Sequence, residues 1–169
     1  MGVSAWEPNH HTDPQNAYGR SKLAGEVGVR SSGAVHAILR TSWVVSAHGT
    51  NFVKTMLKLS ESRDELSIVY DQIGAPTPAR DIALACLKIA SNLQTAPEKS
   101  GTYHFCGEPF VSWHEFASEI FKLSGRNVKL KSIPTSDYPT PAVRPLNSRV
   151  DCQSVTDAFG VSQPSWHSE

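Results

Sequence analysis

Apolar residues along the chain follow two habits, stripes at helical spacing and short unbroken runs. Phe52, Val53, Met56, Leu57 and Leu59 form one stripe, in a helix expected to begin near Asn51. Ile82, Ala85, Cys86 and Ile89 form another, behind Thr77-Pro78, which reads as a cap followed by a first-turn proline. Ser112-x-x-Glu115 is a capping box opening a helix through Phe116, Ile120 and Leu123, with Gly125 placed to end it. A shorter helix over residues 154–159 is closed by Gly160. Near the N-terminus, Asp13-Pro14 reads as the start of a helix that runs through Tyr18, Lys22 and Glu26 and fades at Ser31-Ser32-Gly33. The unbroken runs predict strands. Residues 34–45 are apolar and partly β-branched, the habit of a strand buried on both faces in a parallel sheet. Residues 66–70 and 102–106 are further strands, 128–133 is left unassigned so that the count is three or four, and 71–77 and the proline-rich 134–145 are irregular.

Alternation of strands and helices makes the class α/β. A doubly wound sheet normally opens with a strand, a glycine-rich turn and a helix, and no G-x-G-x-x-G occurs here. The chain opens instead in what reads as a mid-domain loop, leaving the 34–45 strand short of neighbours. The expectation is a fragment, or a gene model whose start was placed too late.

Composition narrows the partners. At 169 residues, 39% hydrophobic and 19% charged, the chain is expected to be a soluble globular protein. Sixteen basic and sixteen acidic residues cancel, which leaves no electrostatic footprint for nucleic acid or an anionic membrane. No apolar stretch is long enough to span a bilayer, and residues 1–16 are polar, unlike a signal peptide. Cys86, Cys106 and Cys152 are odd in number and never in a C-x-x-C pair, which suits a reducing cytoplasm rather than a disulfide framework or zinc site.

Tyr18 and Lys22, four apart on a helix, share one face. There the ammonium favours the ionised phenol by Coulomb attraction, and such a phenol can pass a proton to or from a carbonyl oxygen. The alternative is an ordinary surface pair. Trp43 is either a pocket wall or a core aromatic. Arg144, in a loop, suits a diphosphate by charge and bidentate hydrogen bonding, or is simply solvated. Gln72 is a pocket group or a loop cap. Arg40, on an apolar strand, needs a partner wherever it is buried and is read first as structural. His10-His11 has no spaced partner set for a metal, and no metal is expected. There is no G-x-S-x-G elbow and no P-loop.

The blocks Tyr18-Gly19-Arg20-Ser21-Lys22-Leu23-Ala24-Gly25-Glu26, Arg40-Thr41-Ser42-Trp43-Val44, Asn51-Phe52, Asp71-Gln72-Ile73-Gly74-Ala75-Pro76-Thr77 and Arg144-Pro145-x-Asn147-Ser148 occur in this order. Together they resemble the extended short-chain dehydrogenase/reductases, and within them the dTDP-4-dehydrorhamnose reductases, over about residues 14–160. The first block is shared by many sister enzymes; those beginning at Arg40, Asp71 and Arg144 are more particular. The resemblance implies part of a Rossmann-type doubly wound sheet, its N-terminal nucleotide-binding half missing, plus a smaller α/β substrate-binding domain. Residues 1–60 would be the remainder of the cofactor domain. Residues 61–169 would be mainly the substrate-binding region, with a return to the first.

By the same resemblance, Tyr18 would protonate the sugar C4 oxygen as hydride arrives from NADPH or NADH. Lys22 would orient the nicotinamide ribose, and Trp43, Arg144 and Asn147 would bind the dTDP-sugar. A homodimer is left open. The family's Ser or Thr ahead of the tyrosine and its glycine-rich loop would both precede Met1. Some relatives bind magnesium at a dimer contact near the position of Arg80-Asp81, where Arg80 has the wrong charge. Two alternatives remain: a non-catalytic binding relative, and a sister nucleotide-sugar epimerase or dehydratase.

Overall fold

The computed structural model describes residues 4–168, so the first three residues of the polar N-terminal segment lie outside it. Thirteen regular elements follow in order: α1 (Ala17–Ser31), β1 (Ala37–Arg40), β2 (Val44–Val45), α2 (Phe52–Leu59), β3 (Glu65–Val69), β4 (Ile73–Gly74), β5 (Thr77–Pro78), α3 (Ala79–Thr95), β6 (Gly101–His104), β7 (Val111–Ser112), α4 (Trp113–Leu123), β8 (Lys129–Ile133) and α5 (Gln153–Phe159). The strands pair in twos. β1 with β6, β2 with β5 and β3 with β8 are parallel, and β4 with β7 is antiparallel. The α/β class is as the alternation predicts.

Two apolar cores organise these pairs. In the first, Ala85 and Ile89 of α3 and Val155 and Phe159 of α5 close over Phe105 and Cys106 at the end of β6. In the second, Met56 of α2 meets Phe116, Ile120 and Phe121 of α4 over Leu66 and Ile68 of β3. Trp166 packs into this second core and donates from Nε1 to the Pro109 carbonyl at 2.8 Å.

The helix ends follow local chemistry. Ser112 and Glu115 form the capping box, the Glu115 amide donating to the serine hydroxyl at 3.1 Å and the Ser112 amide to the carboxylate at 2.7 Å. Gly160 ends α5 in the left-handed region at φ 63°, where a Cβ would be strained.

Three expectations need correction. The 34–45 run is not one strand. Thr41-Ser42-Trp43 break it, Trp43 sits at φ 46°, and the chain is re-aimed so that Val44 and Val45 pair with β5 rather than continue β1. The four β1 residues are half-buried rather than enclosed on both faces. A left-handed bulky residue costs on the order of 1–2 kcal/mol. No Gly or Pro marks this turn, so the apolar pattern runs straight through it.

The first helix is capped by Asn16, whose Oδ1 accepts from the Gly19 amide at 2.8 Å, and not by Asp13. Thr77-Pro78 is strand, not cap. The Thr77 hydroxyl donates to the Ala75 carbonyl and accepts from the Gly107 amide, both at 3.2 Å, and α3 begins with no side-chain cap.

Candidate functional site

Helix α1 has no buried residue, yet it carries the tyrosine and lysine that the sequence singled out. Tyr18 is 72% exposed, and the Lys22 Nζ lies 5.8 Å from its ring centroid. One turn further on, Glu26 points inward. Its Oε1 accepts from Arg40 Nε at 2.8 Å and its Oε2 from Arg40 Nη2 at 2.7 Å, a bidentate fork. Arg30 Nη1 adds a bond at 3.2 Å. The fork from Arg40 is the main reason that the Glu26 carboxyl is held below its ordinary value, against the opposing effect of burial.

Arg40 is thus structural, as expected, and the partner it needs is the glutamate of the tyrosine–lysine block. Its Nη1 also donates to the Pro8 carbonyl at 3.3 Å and approaches His104 Nε2 at 3.4 Å. His104 is buried, and its Nδ1 meets the Trp6 carbonyl at 2.9 Å. A donor at one nitrogen and an acceptor at the other define a neutral Nδ1–H imidazole. Burial accordingly pulls His104 below its ordinary value, and the Trp6 carbonyl opposes this. Glu26 and His104 were missed as site-shaping residues. The signal available was a glutamate one turn from Lys22 and an arginine on a strand with no charge of its own to meet.

A cavity of about 970 Å³ opens beside α1, lined among others by Lys22, Glu26, Arg40, His104, Arg144 and Asn147. A second, of about 670 Å³, lies between α2, β3 and the 138–144 loop; Phe52, Leu66, Gln72, Trp113 and Tyr138 line it. Arg144 borders both.

The loop that carries Arg144 is fastened at its start by Asp71. That carboxylate accepts from the Thr135 amide at 2.9 Å and from its hydroxyl at 2.6 Å, while Gln72 Nε2 donates to the same hydroxyl at 3.1 Å. Burial works to raise the Asp71 carboxyl, but the Thr135 hydrogen bonds outweigh it and hold it low. At the far end, the Asn147 amide donates to the Ser4 carbonyl at 2.9 Å and its Oδ1 accepts from the Arg149 amide at 3.2 Å. Asn147 therefore ties the loop to the N-terminal segment as well as bordering the cavity.

Trp43 stands apart. It borders neither cavity and instead stacks on Trp113, ring centroids 3.5 Å apart and planes 9° from parallel. Of the residues singled out from the sequence, Lys22, Arg144 and Asn147 meet at one cavity, with Tyr18 beside Lys22. Trp43 is not brought to them. Among the described residues no group of His, Cys, Asp or Glu is arranged to hold a metal, and no helix is long and apolar enough to cross a membrane.

Comparison with known proteins bears on what this arrangement serves. The model of the RmlD substrate binding domain family matches residues 2–169. A dTDP-4-dehydrorhamnose reductase of Sinorhizobium fredii is 44% identical over 92% of the chain and 54% of its own length. One from Escherichia coli K12 is 37% identical over 98% of the chain and 57% of its own length. The crystal structure of a dTDP-4-dehydrorhamnose reductase from Clostridium acetobutylicum superposes with a TM-score of 0.91 at 35% identity, covering 99% of the chain and 57% of that protein. One from Bacillus anthracis, in complex with NADP, gives a TM-score of 0.84 at 35% identity, covering 97% of the chain and 56% of that protein. The chain thus spans a little over half the length of these relatives.

Proposed function

The chain belongs to the RmlD substrate binding domain family, and on that premise we propose that it serves a dTDP-4-dehydrorhamnose reductase. The reaction is reduction of the C4 keto group of dTDP-4-dehydro-L-rhamnose to dTDP-L-rhamnose with NADPH or NADH. One observation carries the reading: Lys22 and Arg144 face one cavity, with the Tyr18 ring 5.8 Å from the lysine ammonium. A proton donor and a cation for a diphosphate are what reduction of a ketone on a nucleotide sugar requires of the protein.

In this reading the Tyr18 hydroxyl gives its proton to the C4 oxygen, and Lys22 keeps a positive charge beside the phenol as it does so. Lys22 also fits the ribose end of the cofactor, since its ammonium is exposed, borders the cavity and is a donor suited to ribose hydroxyls. When bound, the nicotinamide supplies the hydride. No strand, glycine-rich turn and helix in succession occurs among the described residues, so no residue is assigned to the cofactor diphosphate.

Arg144 takes the substrate diphosphate through its planar fork. Asn147 holds the Arg144 loop at the cavity rim and borders the substrate, and Trp43, which lines neither cavity by itself, joins the wall on the sugar side through its stack on Trp113. Residues 1–60 serve the cofactor side; residues 61–169 serve mainly the substrate and return to the first part. The partner is the sugar nucleotide in the cytoplasm, with no nucleic acid, and a second copy of the chain is the candidate protein partner.

The test joins the chain in line behind the preceding segment of a related reductase and follows NADPH oxidation. Oxidation is expected only when dTDP-4-dehydro-L-rhamnose is present, with Tyr18→Phe slower by about 100-fold or more. Equal rates for Tyr18→Phe, or a response to UDP-hexoses instead, would refute the reading. The 169-residue chain alone is expected to turn over poorly; an ordinary enzymatic rate from it would overturn that part.

A further inference from the structure

Two cysteines of the first core lie side by side and take no part in the reading above. Cys106, just past the end of β6, and Cys152, just ahead of α5, are 46 residues apart in the chain, yet their sulfurs are 3.7 Å from each other. Both side chains are buried. Cysteine is a serviceable small apolar residue, and filling of the core would account for burial alone. Two sets of contacts go beyond filling. The Val150 carbonyl faces both sulfurs, 3.9 Å from Cys106 Sγ and 3.8 Å from Cys152 Sγ. Gln163 Nε2 donates to Cys106 Sγ at 3.6 Å and to the Cys106 carbonyl at 3.3 Å. An amide aimed at a sulfur supports negative charge there, which an inert core filler never carries. The two thiols are also unequal. The hydrogen bond between them pulls Cys152 down and pushes Cys106 up, so the first proton to leave the pair leaves Cys152 as the thiolate.

We propose that Cys106 and Cys152 are an oxidation site of the folded chain, a dithiol that a hydroperoxide converts to a disulfide and a small dithiol restores. In the first step the Cys152 thiolate attacks one peroxide oxygen. The S–O bond forms as the O–O bond breaks, and the departing oxygen takes up a proton and leaves as an alcohol, or as water from hydrogen peroxide. Cys152 is then a sulfenic acid. In the second step the Cys106 sulfur, already in contact, attacks the Cys152 sulfur. The S–S bond forms, the S–O bond breaks, and the hydroxyl leaves as water with the proton that Cys106 gives up; the Gln163 amide favours that loss. The two thiols lose two electrons in all and the peroxide gains them. The sulfurs have to close from 3.7 Å to about 2.0 Å. His104 and Val150, each two residues ahead of one of these cysteines, both line the 970 Å³ cavity. The disulfide would therefore fasten two stretches of that cavity's wall to each other, and it would do so whatever ligand the cavity takes.

The test exposes the unaltered, fully reduced 169-residue chain to hydrogen peroxide in dilute solution and then counts thiols in denaturant. Three titratable thiols are present at the start. The 106–152 link is expected to remove two of them and to lower the chain's mass by two hydrogens, with the linked peptides recovered after proteolysis. Dithiothreitol should return both thiols. The linked chain should melt higher by about 5 °C or more, as closure of a long loop without strain requires. Urea below the unfolding transition should leave the rate of linking within about twofold, since the sulfurs already meet in the native fold. Cys106→Ser, which removes the second step, should halt at the sulfenic acid and yield a dimedone adduct on Cys152. Several outcomes would overturn the proposal, and the first three need no variant to remain folded. These are sulfinic or sulfonic products at the pair in place of a link, linking that proceeds only once urea unfolds the chain, and a linked chain that melts lower than the reduced one. A dimedone adduct on Cys106 in Cys152→Ser, with none on Cys152 in Cys106→Ser, would overturn the order of the steps.

Discussion

Arg40 is a charge on an otherwise apolar strand, and such a residue is tolerated in the interior only with its partner in place. The side chains of Glu26 and Arg40 keep 15% and 22% of their exposure, so the pair is shielded enough to matter. Glu26→Gln leaves the guanidinium without its counter-charge and is expected to lower stability by about 1–3 kcal/mol in urea unfolding. The sign of the pH effect follows from the direction of each shift. His104 is held below the ordinary 6.5, so the stability that its neutral form contributes is complete above 6.5 and is lost as the pH falls through its lower folded value. Glu26 is held below 4.5, so its contribution is present above 4.5 and fades as the pH falls below that. Acid should therefore weaken the fold in two stages. The urea midpoint of Glu26→Gln should track the unaltered chain's slope through the first stage and be flatter through the second. Parallel curves at all pH values would show that Glu26 carries no such linkage.

At the scale of elements, α1 is the exception. Among the described residues α2, α3, α4 and α5 each bury at least one residue against a core, whereas α1 buries none and is tied to β1 and β6 by polar contacts. The Glu26–Arg40 fork holds it to β1, and Arg30 Nη1 reaches Thr102 of β6 at 3.3 Å. An element held by polar contacts opens more readily than one that buries an apolar face. Amide hydrogen exchange of α1 is thus expected to be faster than that of α3 or α4. In Arg40→Ala it should accelerate by about tenfold or more, the equivalent of roughly 1.4 kcal/mol, with α4 unchanged. Uniform acceleration in α1 and α4 alike would mean that Arg40 supports the whole fold rather than this helix. On the proposed function this matters because α1 carries Tyr18 and Lys22, and the Glu26–Arg40 fork, with His104 behind it, ties that helix to β1.

Across the whole molecule, residues far apart in sequence meet in ways with chemical consequences. Cys106 and Cys152 lie with their sulfurs 3.7 Å apart in the first core, while Cys86 is exposed on α3. The Cys152 thiol and burial both push Cys106 up, away from the reactive thiolate. A thiol reagent should therefore label Cys86 alone in the native chain and all three cysteines in denaturant; rapid native labelling of Cys106 would contradict the packing. The sequence by itself determined the α/β class, the helices α2 and α4 with their apolar stripes, the Ser112–Glu115 cap and the glycine that ends α5. It also determined the pairing of Tyr18 with Lys22, because each of these is set by neighbours within a few residues. It misread Thr77-Pro78 and the 34–45 run, where local propensity gave way to pairing between distant strands. Only the tertiary structure decided that Glu26 answers Arg40, that Arg144 borders two cavities and that Trp113 stacks on Trp43. Those outcomes depend on contacts between segments separated by tens of residues, and no periodicity along the chain records which distant groups the packing of two cores will bring face to face.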